Sequence, residues 1–539
     1  MSYQFHQCKN FIMNDALSDW FQKMQNKSSP FEEDKENLFQ TEINKQKEEY
    51  HSIFLSYFKD RKIPLYESIE NTQVRDIIKQ KERCVIYQGE LYHSDYKIYV
   101  KPDLIIHKDI FLEIFNEVNI DDLPEYCIFD ILYKIVNFSA DKSDILNQGN
   151  IYYHKCKLFV ANQCLYKSQK QGFFFAKEYR HKEKTLVKKQ TIGHFNLSSD
   201  LKQSVSDAIR WLHKLNKYYD EWIIYPKPSC IELYPNLNTK NGSWNIEKKR
   251  LGELIKEITL VWNISYQQRC ILLEKGITQW DDPLLISKIY PYKIKDNQRK
   301  MIQNKMITIN SQNELKISPR KIKKKEFISI LKNQENSIIL DIESIIDLQE
   351  KETYFDDNIN VEKPRICIIG TIINKEDYLF KDFTIKYCSN KEEKIIIQYW
   401  LSYLTKQFNG IIKVYHWGNA EKVYIDYMKK KYPDLNYPDF EMIDLLTHFK
   451  NEPITIKGCF GYGLKEIVNQ LYNLELIENK WTDDTNGLDA MIQLMKTSEE
   501  AEIKNIPMKR FVEIKKLIYY NYMDCRVIVD ILKMLEDMI

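Results

Sequence analysis

Two carboxylates stand two residues apart at the end of an apolar run, Ser337-Ile-Ile-Leu-Asp-Ile-Glu343. If that run is a strand, Asp341 and Glu343 project from one face, because strand side chains alternate with a period of two. Adjacent anions repel unless a cation lies between them, and hard oxygen ligands on a rigid element suit Mg²⁺ or Mn²⁺. Alone, the pair fits a strand ending in a solvated acidic turn equally well, so a metal site needs further ligands. The late segment Tyr519-Tyr-Asn-Tyr-Met-Asp-Cys525 offers them. On a helix Tyr520 and Asp524 lie one turn apart on a shared face, so the carboxylate can hold an ion while the phenol orients a water. Between the two segments, His416-Trp-Gly-Asn-Ala-Glu421 places Glu421 just past a strand beside a glycine. Each residue also has an ordinary reading: Glu421 as a helix-start acid favoured by the dipole, Tyr520 as a buried aromatic, Asp524 as a helix-surface charge. Asp444, in Met442-Ile-Asp-Leu-Leu446, competes with Glu421 and reads better as a strand-end or helix-cap carboxylate.

These groups need a scaffold that sets strands against a late helix. Apolar runs at 337–343, 365–373 and 379–387 read as three strands. Residues 393–408 carry Ile396, Tyr399, Trp400 and Leu404 on one stripe, the spacing of a packed helix. A fourth strand at 411–417 follows, then helices at 420–431, 464–471 and 511–538. Three meander strands, a helix, a parallel strand and further helices are the order of the ribonuclease H-like fold, expected over 331–539. Upstream, residues 1–65 form a polar helical leader. Strands at 84–89, 96–100, 101–106 and 126–134 and a helix at 151–166 make a second α/β domain over 66–235. From 236 to 296 the pattern turns helical, and 316–325 is lysine-rich, so 236–330 is expected to be a helical bridge and basic linker. The predicted class is a multidomain α/β protein.

With the elements placed, the acids resemble a known set. D-x-E at Asp341 and Glu343, a mid-domain acid at Glu421 and Y-x-x-x-D at Tyr520 and Asp524 are similar to the three exonuclease motifs of the DEDD family, in its Tyr-containing branch. The resemblance implies two Mg²⁺ or Mn²⁺ ions held by Asp341, Glu343, Glu421 and Asp524, 3′-to-5′ phosphodiester hydrolysis, and Tyr520 orienting the water. Most members carry Asp at the place of Glu421; Glu is usual in the subgroup that fuses this domain to a RecB-like nuclease domain. Residues 66–235 resemble that RecB-like branch of the PD-(D/E)XK nucleases. There Lys101-Pro-Asp-Leu supplies Asp103 and Ile128-Phe-Asp-Ile-Leu132 supplies Asp130, which the resemblance makes ligands of a second metal site. Leu132 stands where the branch has its water-positioning lysine, and Lys157 and Ala161 stand where it usually shows Gln and Tyr. Either this site has degenerated into a DNA-binding or structural module, or a lysine such as Lys157 or Lys134 has migrated into it. Blocks such as Glu232-Leu-Tyr-Pro-Asn236, Gly276-Ile-Thr-Gln-Trp280 and Lys457-Gly-Cys-Phe-Gly-Tyr-Gly-Leu-Lys465 extend the likeness to proteins of large nucleocytoplasmic DNA viruses. In the last block Lys465 could reach a phosphate, although a surface lysine is the plainer reading.

Composition narrows the partners. With 79 Lys and Arg against 77 Asp and Glu, the net charge of +2 draws in no polyanion globally, so a nucleic-acid groove must come from local patches. Arg320-Lys-Ile-Lys-Lys-Lys325 and the lysines of 182–189 are candidates, each readable as a solvated loop. Eleven cysteines without a C-x-x-C pair point to free thiols in a reducing compartment. No run of about 18 uncharged apolar residues is present, so an intracellular protein without a membrane span is expected, in host cytoplasm or virion if viral. The expected activity is a nuclease on DNA rather than RNA, with a catalytically inactive nucleic-acid-binding or scaffold protein, or a nuclease using the N-terminal site, as rivals.

Overall fold

The computed structural model describes residues 2–25, 31–34, 38–115, 123–166, 170–182, 184–185, 192–239, 243–290, 297–312, 314–345, 365–373, 378–482 and 487–539. Most of the lysine-rich 182–189 stretch lies outside them. The chain is mixed α/β and divides into two compact units, built mainly from Gln40–Ile255 with the preceding leader and from Lys256–Leu348 with Glu362–Ile539.

The first unit is organised on a mixed sheet of β1 (Leu65–Glu67), β2 (Val85–Tyr87), β3 (Leu104–His107), β4 (Tyr126–Asn137), β5 (Gln171–His181) and β6 (Gly193–Asn196). Its order is β6-β5-β4-β3-β2-β1. Strands β2, β3 and β4 are antiparallel neighbours; helix α1 (Ile151–Leu165) then returns the chain to β5, parallel to β4. The stretch expected as a strand at 96–100 instead joins a separate small sheet. The leader is part of this unit. Trp20 Nε1 donates to the Tyr219 carbonyl (2.8 Å), and Trp211 Nε1, on α2 (Ser199–Tyr218), donates to Asp19 Oδ2 (3.0 Å).

The second unit carries β7 (Ser337–Ile345), β8 (Arg365–Ile373), β9 (Phe380–Thr384), β10 (Ile412–His416) and β11 (Phe440–Asp444) in the order β9-β8-β7-β10-β11. Strands β7, β8 and β9 are antiparallel, whereas β10 and β11 run parallel to β7. Helices α3 (Asn390–Gln407), α4 (Ala420–Lys431), α5 (Leu464–Asn473), α6 (Gly487–Lys504) and α7 (Val512–Glu536) cover the sheet. Alternation along β7 sends Ile338, Leu340 and Ile342 into the core shared with Trp400 of α3, and Ile339 into the core shared with Met523 and Val527 of α7. Asp341 and Glu343 therefore face α7. A register shift between Glu343 and Ser344 ends the alternation just past them.

The segment expected as a bridge is divided between the units. From Lys256 onward it packs with the second, because Trp280 packs at a tilt against Phe460 (4.9 Å between centroids) and the Trp262 amide donates to the Phe460 carbonyl (2.8 Å). Nor is the lysine-rich stretch a free linker. Ile322 is buried and its amide donates to the Met538 carbonyl (2.9 Å), while the amides of Lys323 and Lys324 donate to Glu452 (2.8 and 2.9 Å). The side chains of Arg320, Lys321, Lys323, Lys324 and Lys325 stay exposed.

Candidate metal centre

One oxygen from each of Asp341, Glu343 and Asp524 lies within 4.8 Å of the others. The two strand acids owe this to the period of β7, and Asp524 to its place on the face of α7 that packs on the sheet. Glu421, in the first turn of α4, is buried and faces the same group; its Oε2 lies 3.5 Å from His416 Nδ1 and has no hydrogen-bond partner among the described residues. Asp444 sits elsewhere in function: it caps the following helix, accepting from the Leu446 amide (3.0 Å), the Thr447 hydroxyl (2.6 Å) and the Gly418 amide (2.8 Å).

Charge is concentrated here with little internal compensation. Burial, then Asp524, Glu343 and Glu421, push the Asp341 carboxyl well above its ordinary value, and burial with Asp524 and Glu421 does the same to Glu343. Burial and Glu421 raise Asp524 to about 7 against the opposing pull of Lys465, the Trp481 indole and the Tyr520 hydroxyl. Trp481 Nε1 donates to Asp524 Oδ1 (3.0 Å), and Tyr520 stands one turn before that carboxylate on α7. Tyr520 is itself pushed up by burial and the surrounding acids, so it stays a donor. Oxygen-only donors, mutual repulsion and the orphaned Glu421 oxygen fit a hard divalent cation.

The sign of the resulting pH dependence is fixed. These carboxyls bind protons in the folded chain that the unfolded chain releases, so their contribution to stability is complete below about pH 4 and is lost as pH rises through about 7. A divalent cation can take the place of those protons. In chelator, the thermal midpoint is expected to fall between about pH 5 and about pH 8 more steeply than in millimolar Mg²⁺ or Mn²⁺. Identical slopes with and without the cation, followed by scanning fluorimetry, would remove the cluster as a cation site.

Three neighbours of the acids carry no chemical signature in the sequence. Asn521, three residues before Asp524, donates through Nδ2 to both Asp341 Oδ2 (2.6 Å) and the Asp341 carbonyl (3.2 Å). Gly370 pairs with Asp341 across β7 and β8, and a Cβ there would lie 1.5 Å from Asn521 Oδ1. A glycine inside an otherwise β-branched strand is the signal for such a close approach. Trp481 offered no signal. Gly370→Ala is expected to cost about 1–3 kcal/mol through forced displacement of Asn521, read as a lowered urea midpoint with unchanged slope; a neutral substitution would mean that Asn521 is not held there.

The first unit brings its two acids together as expected, but against a lysine. Lys157 Nζ of α1 lies 2.8 Å from Asp130 Oδ1 and 3.2 Å from Asp103 Oδ1. Asp103 Oδ2 accepts from the Ile131 amide (2.8 Å), Asp130 Oδ1 also accepts from the Asp103 amide (3.1 Å), and Asp130 Oδ2 lies 2.7 Å from His154 Nδ1. All four carboxylate oxygens thus have partners within the unit. Burial would raise Asp130, but Lys157 and His154 outweigh it and hold the acid at about 2. Leu132 packs into the core, and Lys134 bonds Asn150 instead of the acids, so of the two lysines considered, Lys157 is the one at the site.

Among the described residues no helix is long and apolar enough to cross a membrane. No protein-family model matches the chain, and no curated protein or solved structure matches it.

Proposed function

We propose that the second unit is a divalent-cation-dependent nuclease that hydrolyses phosphodiester bonds of DNA, removing nucleotides from 3′ ends. The observation that carries this reading is the convergence of Asp341, Glu343 and Asp524, with buried Glu421 facing them, where burial and mutual repulsion oppose ionisation of the first three. The strand order β9-β8-β7-β10-β11, with the first acids on the central strand, supports it, being the order of a ribonuclease H-like sheet. Asp341, Glu343, Asp524 and Glu421 would hold Mg²⁺ or Mn²⁺, which supplies charge neutralisation at the phosphate and activation of water. The chain's own part is positional. Asn521 fixes Asp341, while Trp481 fixes Asp524, so that the oxygens are set before substrate arrives. Tyr520, one helical turn before Asp524, would orient the attacking water.

The test is cation-dependent release of mononucleotides from 3′-labelled DNA and RNA by the wild type, Asp341→Asn and Asp103→Asn proteins. The wild type and Asp103→Asn should cut, DNA in preference to RNA, and Asp341→Asn should not. Full activity in Asp341→Asn overturns the assignment, and loss confined to Asp103→Asn moves the chemistry to the first unit.

A further inference from the structure

The glycine-rich block ending in Lys465 supplies no carboxylate, yet the fold brings its lysine to the cluster. Glu466 Oε1 accepts from the amides of Phe460 (2.8 Å) and Gly461 (2.9 Å), and the Gly458 amide donates to Asn310 Oδ1 (2.7 Å). Gly458 adopts φ +86°, and a Cβ on it would lie 2.6 Å from Gln470 Oε1, so a glycine is needed for the loop to close on α5. Trp417 Nε1, just past β10, donates to the Tyr462 carbonyl (3.2 Å). The first turn of α5 is thereby tied to the sheet end that carries the acids. Its Lys465 side chain is partly buried, with Nζ 5.1 Å from the ring centroid of Tyr520 and 5.4 Å from that of Trp481. Trp481 bonds Asp524, and Tyr520 stands one turn before it on α7.

Beside the empty carboxylates the ammonium offsets part of their repulsion, but beside a bound divalent cation it is a source of Coulomb repulsion that weakens cation binding. The cost is recovered if an anion enters with the cation. We propose that Lys465 is a phosphate-binding residue of the nuclease site, its ammonium held over Tyr520 and Trp481 so as to contact a non-bridging oxygen of a substrate phosphodiester. This rests on the function proposed above and deepens it: the substrate would be recognised through its backbone charge, beside the bond that is cut.

The experiment uses the full chain and the variants Lys465→Met and Lys465→Arg. Calorimetry with Mn²⁺ alone reads cation affinity, and anisotropy of a fluorescent single-stranded DNA oligonucleotide in Ca²⁺ reads substrate binding over a salt series. Lys465→Met is expected to bind Mn²⁺ severalfold tighter and the oligonucleotide about tenfold more weakly, the loss of one charge-assisted hydrogen bond. Its salt slope should fall by about 0.7, one phosphate contact on a single strand. Lys465→Arg should restore binding and slope. A purely structural lysine would leave the slope unchanged, and that result, or a wild type that does not bind the oligonucleotide, overturns the proposal. If the wild type cuts but the slope is unmoved, only the role of Lys465 fails. If the slope moves but the wild type does not cut, the phosphate contact stands and the nuclease reading fails.

Discussion

Asparagine at position 341 is expected to lower cation-dependent phosphodiester cleavage by at least about 10³-fold, in the range of losing an electrostatic group central to a reaction. The same change should raise the thermal midpoint of the cation-free protein. Asp341 is pushed well above its ordinary value by burial and by Asp524, Glu343 and Glu421, so the carboxylate is a source of repulsion when no cation is bound. The amide keeps the acceptor used by Asn521 and removes the charge. Activity and stability therefore move in opposite directions. A variant that lost both would mark Asp341 as a structural residue, and one that kept activity would remove it from the reaction. Cleavage of labelled DNA and scanning fluorimetry in chelator measure the two arms.

The second large effect has the opposite sign. Lys157→Met is expected to destabilise the protein by about 3–5 kcal/mol at neutral pH, the cost of leaving a buried charge without its partner. Asp130 is fully buried, and methionine would leave its Oδ1 with the Asp103 amide alone. The pH profile should change with it. In the wild type Asp130 is held at about 2, so its contribution is present above the ordinary carboxylate range and is lost as pH falls toward that value. Without Lys157 burial dominates, the acid is raised, and the variant should recover part of its stability between about pH 7 and about pH 4. Urea titrations at both pH values decide it; equal destabilisation at each would show that lost packing, and not charge, is responsible.

The two clusters explain why sequence reading succeeded with some residues and not others. Asp341, Glu343 and Asp524 were legible because ligand chemistry restricts residue type, and because strand and helix periods say which spacings share a face. The strands and helices around them follow the same logic, and β7, β8, β10 and α4 fall close to where the apolar pattern places them. Strand β5 was not legible. Its Phe173, Phe174 and Phe175 are buried on both faces, so no alternation marks them as a strand. Lys157 was open to either reading because a helical lysine is ordinarily a surface residue, and its partner Asp103 lies 54 residues away. Asn521, Trp481 and Gly370 act through contacts that only the assembled sheet and helix define.

The Phe460 loop has a bearing on where the second unit begins. Its carbonyl is bonded by the Trp262 amide, its ring packs at a tilt against Trp280, and Asn310 bonds both the Gly458 amide and the Cys459 carbonyl. Trp262, Trp280 and Asn310 thus clamp the turn before Lys465. A fragment cut at 331, where the acidic motifs begin, would keep every carboxylate and lose the brace for the lysine beside them. The second unit takes in the chain from Lys256, well ahead of the first acidic motif.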